Sequence, residues 1–500
     1  MMSKWILTLI AAVPFTAGLL VLQSCGGEGG PKGGSDGLPG VSAQFLALLS
    51  DNQKGAQYIG AEACGNAACH GGASKPGRGD EAIYTHWQET THASKGVNCE
   101  RCHGPGSRHQ ADPEGEGLIL TFPKVASPVV CAQCHGPLAN QFNLSGHNML
   151  IAAPVEEGIQ NPAQYGRSSR CITCHSGLVR IEESKGVDVG AMSDDTIREL
   201  CEATLTEVPH IANCATCHNP HSKTGNLTDT GDDKQLRKQT FNSDTAPVGP
   251  SQLASVFTTY NHICAQCHNG RGADGRDAKL SASSSTSRPN MHDSNQFNML
   301  MGVENSGAEG TSPPVPRNTA HSQAPGQCSK CHMPDSNHSF KVSYDKSCSP
   351  CHTAVDAATR IATTRNDIVD KLLALRTRMT NWSEYKFPGQ DGNDIFWDYT
   401  SNITAEGFTP PNQSNVPLEI RRARHNYYFV IRSGDYGAHN APYARYLITV
   451  ANENIDGLAG GPFKATRAAN SNLGYEQKLQ ILKNDAKRAR EVDMRETGEH

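Results

Sequence analysis

The sequence is short of the side chains that build an ordinary globular core. Only 37% of its 500 residues are hydrophobic and 6% are aromatic, whereas it contains 48 glycines and 28 prolines. A chain of this composition has too little apolar surface to offset the entropy of folding a large core from side chains alone. It does contain 18 cysteines and 21 histidines. We therefore expect bound cofactors to supply the missing apolar surface.

The sequence also lacks an excess of positive charge, since its formal net charge is −5. Nucleic-acid-binding domains carry a basic surface, so the charge gives no support for a nucleic acid as a partner. A small negative charge is compatible with a basic redox protein that docks on an acidic patch.

Long apolar runs are absent after the N-terminus. Lys4 precedes an apolar run from Trp5 to Leu22, which leads into Leu22-Gln23-Ser24-Cys25. This pattern is typical of an export signal, and a marginal membrane anchor is the alternative for a run of this length. The four residues up to Cys25 resemble a bacterial lipobox, in which the cysteine is acylated, although an ordinary signal peptide with a chance cysteine is also possible. Gly26 instead of Asp after this cysteine implies the outer membrane.

The composition divides the chain into five segments. We predict a signal peptide at 1–24, the lipidated Cys25 with a Gly-rich tether at 25–56, and a cofactor-binding domain at 57–352. We then predict a helical region at 353–455 that packs on that domain, and a charged tail at 456–500.

Helical periodicity appears mainly in the C-terminal part. It predicts helices over 354–381 and 418–432 and a third helix after Asn440, with Pro442 in its first turn. The segment 475–495 is helix-prone but highly charged, so we expect a solvated surface helix or a frayed tail. The stretch 279–316 is rich in Ser, Pro, Gly and Asn, which predicts a long loop.

Eight cysteine pairs dominate the 57–352 segment, and a histidine follows each pair directly. Seven have the form Cys-x-x-Cys-His, and the first has four residues between its cysteines. We number them motifs 1 to 8 in chain order: Cys64/Cys69/His70, Cys99/Cys102/His103, Cys131/Cys134/His135, Cys171/Cys174/His175, Cys214/Cys217/His218, Cys264/Cys267/His268, Cys328/Cys331/His332 and Cys348/Cys351/His352.

This motif is typical of covalent attachment of haem c. Two thioether bonds join the cysteines to one porphyrin edge, and the chain then turns so that the histidine reaches the iron. Zinc sites, redox dithiols and disulfides also use cysteine pairs, but none requires a histidine after every pair. Eight haem c groups are therefore predicted. Cys201 is left over and is interpreted as a free thiol or as incidental.

The remaining thirteen of the 21 histidines are enough to supply a second axial ligand to each iron. A histidine a few residues past a motif is poorly placed for its own haem and better placed for a neighbour. We take as candidate distal ligands His92, His109, His147, His221, His292, His321, His338 and His439. His210 and His262 are held in reserve, and His86, His425 and His500 are interpreted as structural or exposed.

Four segments carry a resemblance to a known family: CERCHGPGSRH at 99–109, CATCHNPH at 214–221, CSKCHMPDSNH at 328–338 and RRARHNYYFVIRSGDYGAHNAPYARY at 421–446. They resemble multihaem cytochromes c related to cytochrome c nitrite reductase and hydroxylamine oxidoreductase, and most of all the electron-transfer relatives in metal-reducing bacteria. The resemblance implies distal roles for His92, His109, His221, His338 and His439, and a continuous chain of stacked and perpendicular haem pairs.

Two features of those enzymes are missing from the sequence. The catalytic haem of the nitrite reductases has Lys in place of the motif histidine, whereas all eight motifs here end in His. No tyrosine is identifiable as the crosslinking residue of hydroxylamine oxidoreductase.

We therefore expect a mainly α fold with extensive loops, in which the haems form the core and a helical hairpin or bundle ends the chain. The expected function is electron transfer through eight haems, at the outer membrane on its periplasmic or cell-surface face, without a catalytic residue. The partners would be other redox proteins and possibly an extracellular acceptor, with the membrane held through the lipid anchor. Two alternatives stay open: a reductase of nitrite, hydroxylamine or a sulfur oxyanion with one open haem, and a subunit of an extracellular cytochrome filament.

Overall fold

The computed structural model describes residues 41–71, 83–120, 128–148, 168–185, 187–193, 195–196, 212–223, 234–240, 262–270, 275, 277–281, 293–303, 319–349, 351–398, 415–458, 461, 463 and 472–496. Within these ranges the fold is α-helices, short helical turns and loops, with no β-strand. An isolated antiparallel bridge joins His218 and Leu236. The prediction of a mainly α fold with extensive loops is confirmed.

The part of the chain that carries the motifs contains mostly short helices. They are α1 (Ala43–Leu48), α2 (Ala61–Cys64), α3 (Ile83–Gln88), α4 (Thr91–Ser94), α5 (Glu100–His103), α6 (Ser107–Ala111), α7 (Pro128–Asn143), α8 (Ser168–His175), α9 (Gly177–Ser184), α10 (Cys214–Cys217), α11 (Asp277–Leu280), α12 (Gln296–Met301), α13 (Cys328–His332) and α14 (Tyr344–Ser347). Single 3-10 turns lie at Gly146–Asn148, Val189–Ala191, Cys264–Gln266 and Pro334–Ser336.

Four longer helices follow the last motif. They are α15 (Ala354–Lys386), α16 (Leu418–Ser433), α17 (Ala441–Asp456) and α18 (Tyr475–Glu496), with a 3-10 turn at Asn393–Ile395. Two of them begin with a side-chain cap: the side chain of Thr353 accepts a hydrogen bond from the Asp356 N–H, and Asn440 accepts one from the Tyr443 N–H. The predicted helices are all present, and α15 extends five residues beyond its predicted end.

The four long helices share the largest apolar cluster among the described residues. Leu372 of α15, Tyr427 of α16, Leu447 of α17 and Leu482 of α18 are all fully buried in it. In α15, α17 and α18 buried residues recur three or four apart, so that one side of each helix faces the common interior, whereas α16 is buried over most of its surface. The cluster gives the C-terminal region a side-chain core of its own.

The expectation for 456–500 differs from the structure. Instead of a solvated helix or frayed tail, α18 packs one face into the cluster through Leu479, Leu482, Ala486 and Ala489. Buried Asp485 on that face accepts hydrogen bonds from the Tyr427 hydroxyl at 2.6 Å and Arg376 Nε at 2.7 Å. The segment is rich in charged residues, and the apolar positions of its amphipathic pattern are mostly alanine and leucine, so the buried face was not recognised from the sequence.

Apolar clusters are small in the part of the chain that carries the motifs. The largest described one contains Ala265, Phe297, Leu300, Met301 and Val303. Its members come mainly from α12, which interrupts the loop predicted over 279–316 and corrects that prediction. No helix in the described part of the chain is both long and apolar enough to cross a membrane.

Candidate haem-binding site

A tight turn positions the histidine of each motif below its cysteines. In motifs 2, 5, 6 and 8 the histidine N–H donates to the carbonyl of the first cysteine at 2.9–3.0 Å. Motif 1 keeps the same bond despite its longer spacing: the His70 N–H donates to the Cys64 carbonyl at 3.2 Å, and the Cys69 N–H donates to Asn66 at 2.8 Å. The two extra residues therefore form a local loop that leaves His70 in the position of the other motif histidines.

Seven motif histidines each face one other histidine ring across a narrow gap. The distances between ring centres are 5.9–6.5 Å in every pair. The pairs are His70–His109, His103–His221, His135–His92, His218–His338, His268–His147, His332–His439 and His352–His321. The second member of each pair is one of the candidate distal ligands.

The gap fits an iron held between two imidazole nitrogens. The line from one ring centre to the other would contain two metal–nitrogen bonds of about 2 Å each and, at both ends, the distance from the nitrogen to its ring centre. These lengths add up to about 6 Å. Two rings in direct contact would pack closer, as His147 does with Phe340 at 4.3 Å. The seven pairs therefore leave room for a metal ion and a porphyrin plane.

Hydrogen bonds at Nδ1 leave Nε2 as the nitrogen available to a metal. Nδ1 contacts a carbonyl oxygen in His103 (Leu120, 2.7 Å), His218 (Lys234, 2.8 Å) and His332 (Phe340, 3.1 Å). A carbonyl only accepts, so Nδ1 carries the proton and Nε2 carries the lone pair. Such a partner fixes the tautomer and the orientation of a ligating imidazole.

Burial lowers the pKa of several of the facing rings. It lowers the pKa of His221 to about 3, with nearby His103 adding to the effect, and lowers the pKa of His147 to about 4, with His268 and His332 adding to it. The pKa of His103 is lowered in the same way. A protonated imidazole cannot bind a metal, so these three rings are in the ligating form at neutral pH.

Three pairs of motifs lie side by side. The thiols of Cys64 and Cys99 are within hydrogen-bonding reach of each other, as are those of Cys131 and Cys214. The ligand atoms of Cys264, Cys328 and His262 lie within 4.8 Å of one another. Motifs 1 and 2, motifs 3 and 5, and motifs 6 and 7 are therefore close neighbours, and we call them the three couples.

Further contacts join the couples. Gln133 Nε2 in motif 3 donates to the Arg101 carbonyl of motif 2 at 3.2 Å, and the Ser347 hydroxyl beside motif 8 donates to the Cys331 carbonyl of motif 7 at 2.6 Å. Cys217 of motif 5 is near enough to Cys264 of motif 6 to influence its pKa.

Motif 4 contacts two others. Leu178 and Ile181, in the helix after motif 4, pack against Ala215 of motif 5. Cys174 Sγ of motif 4 lies 3.7 Å from the Gln266 carbonyl oxygen of motif 6.

Not every predicted site residue can be placed. Cys25, Cys201, His210, His292 and His500 lie outside the described residues, as does the side chain of Cys171.

Most motif cysteines with described side chains are free thiols. Fourteen cysteines are free, and all of them belong to the motifs. Cys134 is instead disulfide-bonded. A disulfide and a thioether are alternative fates of one sulfur, so haem attachment at motif 3 requires that bond to be reduced.

The reserve candidate His262 and the structural candidate His425 are both buried, at 0% and 5% exposure. His262 Nδ1 accepts a hydrogen bond from the Cys264 N–H at 3.1 Å and so supports the turn of motif 6. The three ligand atoms around His262 would suit a small metal ion, but two of them are motif cysteines, which haem attachment would use.

The second cysteine of motif 6, Cys267, lies next to this group. Cys264–Gln266 form a 3-10 turn, and the Cys267 N–H donates to the Cys264 carbonyl at 3.2 Å. Cys267 is also near enough to Cys264 to influence its pKa. Cys267 is half-buried and lies outside any disulfide, and its thioether to haem stays a prediction.

Two carboxylates at the site were not anticipated from the sequence. Asp356 contacts His352 Nδ1 at 3.0 Å, and Asp435 contacts His439 Nδ1. Each aspartate is four residues from its histidine. That spacing is the signal that identifies them, and it becomes informative once both histidines are regarded as ligands.

Comparison with known proteins finds partial relatives, and no family model matches the chain. A C-type polyheme cytochrome, OmcC of Geobacter sulfurreducens, is 31% identical over 178 residues, which are 33% of this chain and 21% of that protein. The dissimilatory sulfite reductase MccA of Wolinella succinogenes is 24% identical over 177 residues, which are 35% of this chain and 19% of that protein. The chain thus matches about a fifth of the length of these relatives.

Among solved structures, an undecaheme cytochrome from the S-layer of Carboxydothermus ferrireducens matches with a TM-score of 0.42 and 19% identity, over 73% of this chain and 51% of that one.

Proposed function

We propose that this multihaem c-type cytochrome carries electrons along a row of eight covalently attached haems and uses no catalytic side chain. The observation that carries the proposal is the set of seven opposed histidine pairs. An iron with a histidine on each side has no open position for a substrate, so it exchanges electrons only. The similarity to polyheme cytochromes of Geobacter supports the same conclusion.

In this proposal the two cysteines of each motif form the thioethers, the motif histidine is the proximal ligand, and the facing histidine is the distal ligand. Haem supplies an iron that changes its charge by one electron. The protein sets the spacing of the irons, excludes water and fixes the ligand orientation through the Nδ1 hydrogen bonds. The small side-chain clusters around the motifs support the idea that haems provide most of this core.

The contacts between motifs favour one order for the path: 1, 2, 3, 5, 6, 7, 8. Couples 1–2, 3–5 and 6–7 supply three steps, and the contacts of motif 2 with 3, 5 with 6 and 7 with 8 supply the others. Motif 4 contacts motifs 5 and 6 through Ala215 and Gln266 and is therefore proposed as a side branch. The path would thus depart from chain order at the fourth motif.

Electrons would enter and leave at motifs 1 and 8. Cys69 and Cys351 belong to these motifs, and they alone among the fourteen free cysteines are exposed. An exposed haem edge shortens the distance to a partner, so the two ends of the row are suited to transient docking. The proposed partners are other redox proteins, and an extracellular acceptor at one end.

The proposed location is the outer membrane, on the periplasmic or cell-surface face. The apolar N-terminal run and Cys25 support export and lipid anchoring. Anchoring disfavours the filament alternative, because a filament subunit must be free to polymerise. Mass spectrometry of the mature N-terminus distinguishes them: an acylated Cys25 supports the anchor, and an unmodified cleaved end supports the filament.

The second candidate function is that of a reductase. It is favoured by the partial similarity to a dissimilatory sulfite reductase. This activity requires one haem with an open position, where nitrite, hydroxylamine or a sulfur oxyanion would bind. Motif 4 is the place to look for it, because the seven pairs use every other motif, and His292, the remaining distal candidate, lies outside the described residues.

Low-temperature EPR of the purified ferric protein, with haem counted by mass spectrometry, tests the proposal. Eight attached haems that are all low-spin are the expected result. A high-spin signal that shifts on addition of nitrite, hydroxylamine or sulfite would instead support the reductase. Fewer than eight haems, with motif 1 unmodified, would restrict attachment to the seven Cys-x-x-Cys-His motifs.

A further inference from the structure

The hydrogen-bond partner of the ligand Nδ1 atom differs among the haem sites. In His103, His218, His332 and His338 the partner is a backbone carbonyl, and in His268 it is the side-chain oxygen of Gln296 at 3.2 Å. These acceptors are neutral. In His352 and His439 the partner at this atom is a carboxylate, that of Asp356 and that of Asp435.

The two carboxylates have very different surroundings. The Asp356 side chain is 42% exposed, and it also accepts hydrogen bonds from Arg360 at 2.7 and 2.9 Å. Its charge is thus screened by water and neutralised by a cation. The Asp435 side chain is only 5% exposed.

Asp435 is held by donors that keep its charge directed at His439. Its Oδ1 accepts from the Gly437 N–H at 2.8 Å and from the Ser433 hydroxyl at 3.0 Å, which leaves Oδ2 for the imidazole. The nearest guanidinium, that of Arg365, donates to the backbone carbonyl of Asp435 at 3.4 Å and not to its carboxylate. The carboxylate is therefore a buried negative charge whose side-chain partners are two neutral donors and the ligand histidine.

The neighbouring site offers a contrast. Motif 7, which pairs with His439, forms a couple with motif 6, which pairs with His147. The Nδ1 of His147 is buried and has no hydrogen-bond partner. One couple therefore contains a ligand whose Nδ1 contacts a buried carboxylate and a ligand with no hydrogen-bond partner at this atom.

We infer that Asp435 is a positioning residue that lowers the reduction potential of the haem at motif 7 below that of its neighbour at motif 6. A negative charge behind the imidazole makes the ligand a stronger electron donor, which stabilises the oxidised iron. The effect is larger where water is excluded, because the charge is then poorly screened. This inference rests on the proposed electron-transfer function, and it makes the step between motifs 6 and 7 directional.

The test is a spectroelectrochemical titration of the haem-loaded full chain carrying Asp435→Asn. Asparagine has nearly the same shape and can still accept a hydrogen bond from Nδ1, but it carries no charge. We expect one haem, that of motif 7, to become easier to reduce by at least tenfold in its equilibrium constant, which is about 59 mV for one electron. Asp356→Asn is the matched control and should change its haem's constant by less than threefold.

Haem count and EPR separate failure of this inference from failure of the proposed function. If the wild-type protein has all haems low-spin but Asp435→Asn leaves its potentials unchanged, or if the two variants shift equally, the inference is wrong while the function stands. A high-spin wild-type haem that binds sulfite or nitrite would instead count against the function.

Ser433→Ala covers the case in which Asp435→Asn loses the haem of motif 7. This variant keeps the negative charge and removes one neutral donor from it, so the potential should stay the same or fall. If Ser433→Ala instead raises the reduction potential as much as is expected for Asp435→Asn, the potential responds to disturbance of the 433–439 loop and not to loss of the charge. That result would overturn the inference.

Discussion

The rings of His103 and His221 face each other with their centres 6.0 Å apart and their planes 11° from parallel, although motifs 3, 4 and 5 lie between them in the sequence. A haem bound there would connect two distant parts of the chain. The pairs formed by His218 with His338, and by His332 with His439, do the same further along. The irons would thus act as crosslinks, each closing a long loop.

This relationship gives the first prediction. In His221→Ala the haem at motif 2 loses its distal ligand, so one haem should become high-spin while the haem count is unchanged. EPR of the ferric protein measures this directly. His86→Ala is the control, because His86 faces no other histidine among the described residues, and it should leave every haem low-spin. If His221→Ala is also fully low-spin, another residue ligates motif 2.

The pairing of ligands marks where sequence reasoning stops. The spacing of cysteines and histidines identifies the motifs, because attachment chemistry is local. The distal partner depends on tertiary packing, and nothing near His147 in the sequence indicates that it faces His268. The sequence offered all eight distal candidates as a set, and in the structure seven of them lie opposite particular motif histidines.

The proposed side branch at motif 4 is tested by removing single haems. A photoreductant attached through Val355→Cys, at an exposed position beside motif 8, would inject electrons at that end. Deleting motif 4 by Cys171→Ala and Cys174→Ala should leave all seven remaining haems in the fast phase of reduction, because the main path is intact. Time-resolved absorbance at the haem bands measures the size of that phase.

Deleting motif 5 by Cys214→Ala and Cys217→Ala is the matched comparison. It breaks the path between motifs 3 and 6, so only motifs 4, 6, 7 and 8 should be reduced quickly. If the two deletions give equal fast phases, or if deleting motif 4 halves the phase, motif 4 lies on the main path. Haem content measured by mass spectrometry verifies that each variant lost one haem only.

The docking of α18 is tested at its most buried position. Leu482 is fully buried in the cluster of the C-terminal helices, so Leu482→Ala should cost about 2–5 kcal/mol of unfolding free energy. Lys483→Ala, at an exposed position in the same turn, should cost less than about 0.5 kcal/mol. Denaturant unfolding followed by far-UV circular dichroism gives both values. Equal small effects would mean that α18 does not contribute to the core.

The charged composition of 456–500 concealed this packing for a physical reason. Periodicity is read from large apolar residues, and here alanines fill much of the buried face, while Asp485 is buried against Tyr427 and Arg376. A charged residue that is buried with hydrogen-bond partners cannot be distinguished, from the sequence alone, from a charged residue on the surface. In α15, by contrast, the large apolar residues Ile, Leu and Met recur at helical spacing and predict the helix directly.

A pH dependence follows from Asp293. Burial raises the pKa of this carboxyl, but the Arg432 and Arg490 guanidinium groups outweigh burial and lower it. A lowered pKa in the folded state means that the ion pairs stabilise the protein above the unfolded value near 3.8, and that this stability is lost as the pH falls through the lowered value. We expect Asp293→Asn to lose about 1 kcal/mol at pH 7 and nothing relative to wild type once Asp293 is protonated.

Thermal melts of the two proteins at pH 7 and at pH 3 or below provide the measurement. Asp391→Asn, which removes an exposed carboxylate, is the control and should follow the wild type at both pH values. A difference between Asp293→Asn and the wild type that persists undiminished in acid would show that the side chain acts through packing and not through its charge.

The last prediction separates the electron carrier from the reductase at motif 4. If His292, the distal candidate that the seven pairs leave over, is the ligand there, the wild-type protein has no open iron, and His292→Ala creates one high-spin haem. If the reductase interpretation is right, motif 4 is high-spin already and His292→Ala changes nothing. EPR of the wild type and of His292→Ala, recorded with and without sulfite, distinguishes the two outcomes. Replacing His262, which supports the turn of motif 6 and faces no second histidine among the described residues, should create no open iron in either case.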